Sequence, residues 1–426
     1  MRQTAIDDDS GYEELFQIEE AAEASGQGVI DDPYPVWAEL LKRGPVHKGT
    51  LAECMGYPAE RSGSLYQRGR TYYSVFSFAA CSDVFTRKDD FSSEFYNDMG
   101  LQRQFGDSIL NMDGPRHRRR RDIIQRYFQP EAAESWWRTK VIVGLVDELI
   151  ERFEGERGVD LNGRFFARLP LHTMTAGFGM SPAEGVEFRR QMKRALDGGA
   201  NTEAAAQASK AAGDLLAHVI RQRQAAPQDD LISRLAHAEL EEEDGSVRQL
   251  TVDEVAAYCR LIMFAGGETT WRQLGIAMFA LLSHPDQLQE VIRDRSLLSR
   301  AVLESTRWNP DPLFPRKVRR DTVLQGVELP ADAVLHLCLG AANRDPGRWE
   351  NPERYDIHRP LHRSVAFAAG AHSCLGQHVA RQEIETALSA LLDRFPNIRW
   401  DPSKPAAKLT GNLMQRGPGP LHVLLH

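Results

Sequence analysis

Cys374 lies in the run Phe367-Ala368-Ala369-Gly370-Ala371-His372-Ser373-Cys374-Leu375-Gly376, an F-x-x-G-x-x-x-C-x-G pattern that leads directly into a helical segment from Gln377 to Leu392. A cysteine at the start of a helix meets unpaired backbone N–H groups and the positive end of the macrodipole, which favours a thiolate able to bind a metal. Gly370 and Gly376 let the backbone pass close to a flat group, and Phe367 can cover the sulfur side of it. A single thiolate presented in this way suits a haem iron. The competing reading is a structural cysteine. Cys54, Cys81, Cys259 and Cys338 take that reading, since none has a C-x-x-C partner or a His or Cys at zinc spacing. No C-x-x-C-H run occurs, so covalent haem attachment is not expected.

A second group of residues breaks a local rule. Phe264-Ala265-Gly266-Gly267-Glu268-Thr269-Thr270 places two glycines inside a helical pattern, at roughly 1 kcal/mol each relative to alanine. Missing side chains let a flat ligand or dioxygen approach the backbone, and the Thr269 hydroxyl can bond the Ala265 carbonyl four residues back. The competing reading is a tight helix crossing, with Glu268 facing solvent. Glu304-Ser305-Thr306-Arg307 sets a carboxylate and a guanidinium three residues apart, a spacing that alone makes only a weak surface pair.

The cysteine run resembles the ligand loop of the cytochrome P-450 family, the haem-thiolate monooxygenases. The resemblance implies that Cys374 is the axial ligand of a haem b iron, within a loop that includes Phe367 and Gly370. It also implies roles for the other motifs. Ala265-Gly266-Gly267-Glu268-Thr269-Thr270 matches the family's A-G-x-[D/E]-T-T string, with Glu268 and Thr269 as a proton relay during dioxygen activation and Ala265 beside the haem. Glu268 stands where many relatives carry Asp. Glu304, Arg307 and Arg359 match the family's E-x-x-R and its third partner, a structural network holding the cysteine loop.

His117 and Arg121, four apart after Asp113-Gly114-Pro115, match the family's H-x-x-x-R, and with Arg316 and His372 they are expected to meet the haem propionates, since buried carboxylates need cationic donors. Any one of these four taken singly reads as a surface cation. Family analogy places Phe95, Met99, Leu261, Leu313, Phe314, Leu413 and Met414 against substrate, and each also reads as ordinary core. The implied reaction is oxidation, chiefly hydroxylation, of a hydrophobic small molecule such as a terpenoid, steroid or aromatic. By the same resemblance, electrons come from NAD(P)H through a reductase and a ferredoxin or flavodoxin. The rival readings are a peroxide-using haem-thiolate enzyme, disfavoured by the intact Glu268-Thr269 pair, and a non-catalytic haem sensor. Arg116, Arg118, Arg119, Arg120 and Arg126 form a basic run that the resemblance puts near the cysteine, where an acidic electron donor docks.

The elements that must position these groups are mostly helical. The chain has 426 residues, 42% of them hydrophobic, and its glycines and prolines punctuate helices rather than mark a linker, so one large domain over 31–426 is expected. The resemblance implies a mostly α fold with minor β, a long central helix lying over the haem. Residues 1–30 are acidic and read as a flexible tail, neither signal peptide nor membrane anchor. That tail, together with five cysteines in no disulfide pattern, points to a cytoplasmic protein. A net charge of −8 argues against nucleic acid, and a monomer is expected.

Along the chain, Asp32-Pro33-Tyr34-Pro35 opens a first helix, Tyr72 to Phe78 reads as a strand before a helix at Ala79 to Thr86, and Lys88 to Met112 has little periodicity. Amphipathic helices fill Pro130 to Ala225, broken at Gly158, at Gly179 to Pro182 and at Gly198-Gly199, the last resembling a mobile lid. Thr251-Val252-Asp253-Glu254 is a capping box that starts a helix reaching Ser283. Short strands come after residue 320, and a hairpin ends the chain.

Overall fold

The computed structural model describes residues 16, 18–197, 202–311 and 313–426. The Gly198-Gly199 break lies outside the described residues. The element that organises the rest is the central helix, Val252–Ser283. Its capping box forms as the sequence predicts: the Thr251 hydroxyl accepts from the Glu254 N–H, and the Glu254 carboxylate accepts from the Thr251 N–H (2.9 Å). Pro285 opens the next helix and stops it. At 32 residues it runs about 48 Å.

This helix is apolar around most of its circumference, as a helix surrounded by others must be. It packs against the helices Leu169–Gly177, Glu203–Ala225, Leu298–Trp308 and Gln377–Arg394. The crossing with Leu169–Gly177 is close: a Cβ at Gly266 would lie 2.6 Å from the Met174 sulfur. Gly266 thus lies both against Met174 and on a cavity wall, and the helix continues through the pair unbroken.

The β structure is minor. A five-stranded sheet runs in the order Val46–Lys48, Tyr72–Val75, Val334–Cys338, Leu313–Val318, Phe91–Ser92. Its one parallel pairing sets Val334 opposite Tyr72. The terminal hairpin pairs Leu409–Gly411 with Arg416–Pro418. The stretch 88–112 contains the short helices Phe95–Asp98 and Leu101–Phe105, whose periods are too brief to read from sequence.

Of the acidic segment expected to form a tail, residues 16 and 18–30 are described, and they pack onto the fold. Ile18–Ala24 is helical, the Phe16 ring meets Trp271 of the central helix edge-on at 5.5 Å, and the Ile30 N–H donates to the Gly411 carbonyl (2.8 Å). The few apolar residues among the acids of this segment are enough to dock it. Among the described residues, no helix is long and apolar enough to cross a membrane.

Candidate active site

A cavity of about 290 Å³ opens between the central helix, the segment Thr306 to Arg316, and the loop Ala366 to Gly376. Its wall is predominantly apolar, and Cys374, Phe367, Ala265, Thr269, Arg121, Arg316 and His372 all lie on it. The cysteine loop is held by the Cys374 N–H donating to the Phe367 carbonyl (2.8 Å). Ala368 (φ 55°) and Gly370 (φ 71°) adopt left-handed backbone. The glycine at 370 answers to a neighbour rather than to a ligand: a Cβ there would sit 2.3 Å from the Phe85 carbonyl oxygen. Gly376, by contrast, has nothing within 4 Å of that position and leaves the cavity open beside Cys374.

The Cys374 sulfur faces the cavity and is surrounded by protein elsewhere. Burial pushes its thiol pKa up, against the backbone N–H groups of Gly376 and Gln377 and the Arg121 charge, which pull it down. The helix-start effect alone, which favours a thiolate, is thus outweighed until a metal supplies the missing positive charge. Among the described residues no group of three or more His, Cys, Asp or Glu side chains could hold a metal ion.

On the central helix, Ala265 and Thr269 are exposed on the cavity wall within a stretch that is otherwise buried or half-buried, and the Thr269 hydroxyl donates to the Ala265 carbonyl (3.0 Å). Glu268 is not on the cavity wall. Nor does it face solvent. It pairs with Arg189, from the helix Pro182–Asp197, and with Arg272 one turn along (2.6 Å). Burial raises the Glu268 pKa, but the two guanidiniums overcome this and hold it below the usual carboxylate value.

The four expected propionate partners cluster at one side. The His117 and His372 rings lie 4.1 Å apart, and His372 Nε2 meets Asp113 Oδ1 at 2.8 Å. Burial, with the charges of His372 and Arg121, lowers His117 to about 3, so it is a neutral imidazole. Its Nε2 is buried without a partner, and its ring lies beside the cavity-lining His372. Arg121 donates to Gln125 Oε1 (2.7 Å) and to the Ser373 carbonyl (2.6 Å), and Arg316 donates to the Pro315 carbonyl (2.8 Å). Two guanidiniums on an apolar cavity, with no carboxylate paired to either among the described residues, and one orphaned imidazole nitrogen are what a dianionic, otherwise flat and apolar group requires. The residues present fit haem.

Arg307 grips Glu304 through both carboxylate oxygens (2.8 Å each), Arg359 Nε adds a third bond (3.0 Å), and Arg307 also donates to the Asn343, Pro352 and Arg354 carbonyls. Of the residues expected against substrate, Leu261 and Phe314 line the cavity. Phe95, Met99, Leu313, Leu413 and Met414 do not. They pack with Trp37 and Tyr72 in a separate cluster, because the hairpin and the 95–98 helix turn these side chains toward the N-terminal helices. Sequence reasoning missed Ile109, Leu110, Asp311 and Glu383 on the wall. Asp311, only four residues beyond the E-x-x-R arginine, is the one of these whose position beside a motif gives a signal.

Residues 195–421 match the family model described as cytochrome P450. Cytochrome P450 107B1 of Saccharopolyspora erythraea is 34% identical over 321 residues, 75% of this chain and 77% of that protein. Among solved structures, the polyketide synthase cytochrome P450 PksS of Bacillus subtilis covers 92% of this chain and 97% of its own with a TM-score of 0.78 at 28% identity. CYP109E1 of Bacillus megaterium, in complex with testosterone, covers 93% of this chain and 99% of its own with a TM-score of 0.75 at 25% identity. The chain belongs to the cytochrome P450 family, and it is a P450 monooxygenase of the class that carries haem iron with a thiolate ligand. Helical content and small sheets agree with the fold expected from the cysteine motif.

Proposed function

We propose that this cavity holds haem b through Cys374 and oxidises a hydrophobic small molecule, most simply by hydroxylation, with electrons passed from NAD(P)H by a reductase and a ferredoxin or flavodoxin. The observation that carries this is one apolar cavity bearing both a lone cysteine and the Ala265 and Thr269 face of the central helix. Haem bound there supplies dioxygen activation through its thiolate-ligated iron. Arg121, Arg316, His117 and His372 anchor its carboxylates. Thr269 presents a hydroxyl in the cavity that donates its hydrogen bond to the Ala265 carbonyl. Glu268 feeds that hydroxyl only after releasing Arg189 or Arg272, so proton entry is gated by the buried ion pair.

The apolar wall supports a terpenoid, steroid or aromatic substrate, and the testosterone complex of the Bacillus megaterium relative supports a molecule of that size. The assignment is tested by the spectrum of the reduced, carbon monoxide-bound protein. Thiolate ligation gives a far-red-shifted Soret band that Cys374→His abolishes. A band at the ordinary imidazole position, unchanged by the substitution, would overturn it.

A further inference from the structure

The acid on the cavity wall is Asp311, and dioxygen activation gives it nothing to do. Its side chain is 28% exposed where Arg272 beside it is 3%, and the exposed part faces the cavity it lines. The nearest cation, Arg272 Nε, is 3.7 Å away, beyond hydrogen-bond reach, and Arg272 already gives its Nη1 to Glu268 at 2.6 Å. Arg272 is the one ion-pair partner of the Asp311 carboxylate among the described residues, and it is shared with Glu268. Burial pushes its pKa up and Arg272 only partly offsets this. A carboxylate drawn out of water with one distant, shared cation is incompletely compensated, and an ammonium or hydroxyl brought by a ligand would complete it.

The haem does not explain it. Its two carboxylates match the cations Arg121, Arg316 and the histidine pair, and a second anion would repel them. Asp311 instead sits on the segment between the helix Leu298–Trp308 and the strand Leu313–Val318, flanked on the cavity wall by Pro310 and Phe314. We propose that Asp311 is a substrate-recognition residue, whose carboxylate accepts a hydrogen bond from a protonated amine carried by an otherwise apolar substrate. This rests on the haem-binding reading of the cavity. The same carboxylate selects against substrates that carry their own, such as free fatty acids.

The test uses the full-length holoenzyme and three probes of equal chain length: N,N-dimethyldodecylamine, which is protonated at neutral pH, dodecan-1-ol and dodecanoate. Affinities are read from the Soret shift on titration. A charge-assisted hydrogen bond predicts that the amine binds about tenfold to a hundredfold more tightly than the alcohol, with dodecanoate weakest. Asp311→Asn, which keeps the shape, should bring amine and alcohol within about threefold of each other, as should Asp311→Leu. Equal affinities for the three probes in the wild type, or an amine preference that survives Asp311→Asn, would overturn the proposal. A protein without a Soret band would instead defeat the haem reading, and calorimetric titration of the same three probes would then still decide the role of Asp311.

Discussion

At the scale of single residues, two positions carry consequences that their letters do not show. Gly370 has a left-handed φ of 71° and a backbone carbonyl 2.3 Å from where a Cβ would stand. Gly370→Ala should therefore cost more than ~2 kcal/mol and disturb the loop that presents Cys374. The expected outcome is a lowered thermal midpoint together with reduced haem content after purification. Glu383 is 1% exposed on the cavity wall, and burial lifts its pKa from 4.5 to about 8 although the Thr173 hydroxyl, which donates to it, pulls the other way.

A carboxyl that keeps its proton in the folded state and loses it in the unfolded one stabilises the fold most at low pH. That contribution falls as pH rises between about 4.5 and about 8 and is flat beyond. Urea midpoints measured across that window should decline more steeply for the wild type than for Glu383→Gln, which cannot titrate. Parallel declines would remove Glu383 from the account.

At the scale of elements, the notable connection is between the central helix and the helix Pro182–Asp197. Arg189 of the latter reaches Glu268 of the former, with a carboxylate and two guanidiniums buried together. Glu268→Gln removes the carboxylate charge that both arginines share and should cost about 3 kcal/mol. Hydrogen exchange is expected to quicken over 182–197 more than in the helix Gln377–Arg394, which contributes no residue to the ion pair. Uniform protection in both helices would show that Glu268 is not the tie.

At the scale of the whole molecule, charge is distributed rather than simply negative. Of the basic run, Arg116 pairs with Asp107, Arg119 with Glu243 (4.0 Å) and Arg120 with Glu254 (2.5 Å), while Arg118 and Arg126 are exposed. Reversing both to Glu should slow reduction by an acidic ferredoxin and flatten its dependence on salt, measured by stopped-flow at several ionic strengths. The structural network acts at the same scale, since Arg307 joins its own helix to carbonyls from Asn343 to Arg354. Arg307→Lys keeps the charge but not the fork, and the yield of folded protein should drop sharply.

The sequence by itself determined the chemistry. Cys374, the Thr269 to Ala265 bond, the capping box at Thr251, the Glu304, Arg307 and Arg359 network and the cationic set around His117 were all legible, because each is a local pattern or a short motif whose residue types have few other uses. Tertiary structure decided the rest. It turned Glu268 out of the cavity onto Arg189, brought in from a different helix, and set Gly370 against the Phe85 carbonyl. It also drew the docked N-terminal segment onto Trp271, packed Phe95, Leu313 and Leu413 into a neighbouring core, and left Asp311 and Glu383 on the cavity wall. Burial, pairing and proximity arise between residues far apart in the chain, and no spacing in the sequence encodes which partner a side chain will meet.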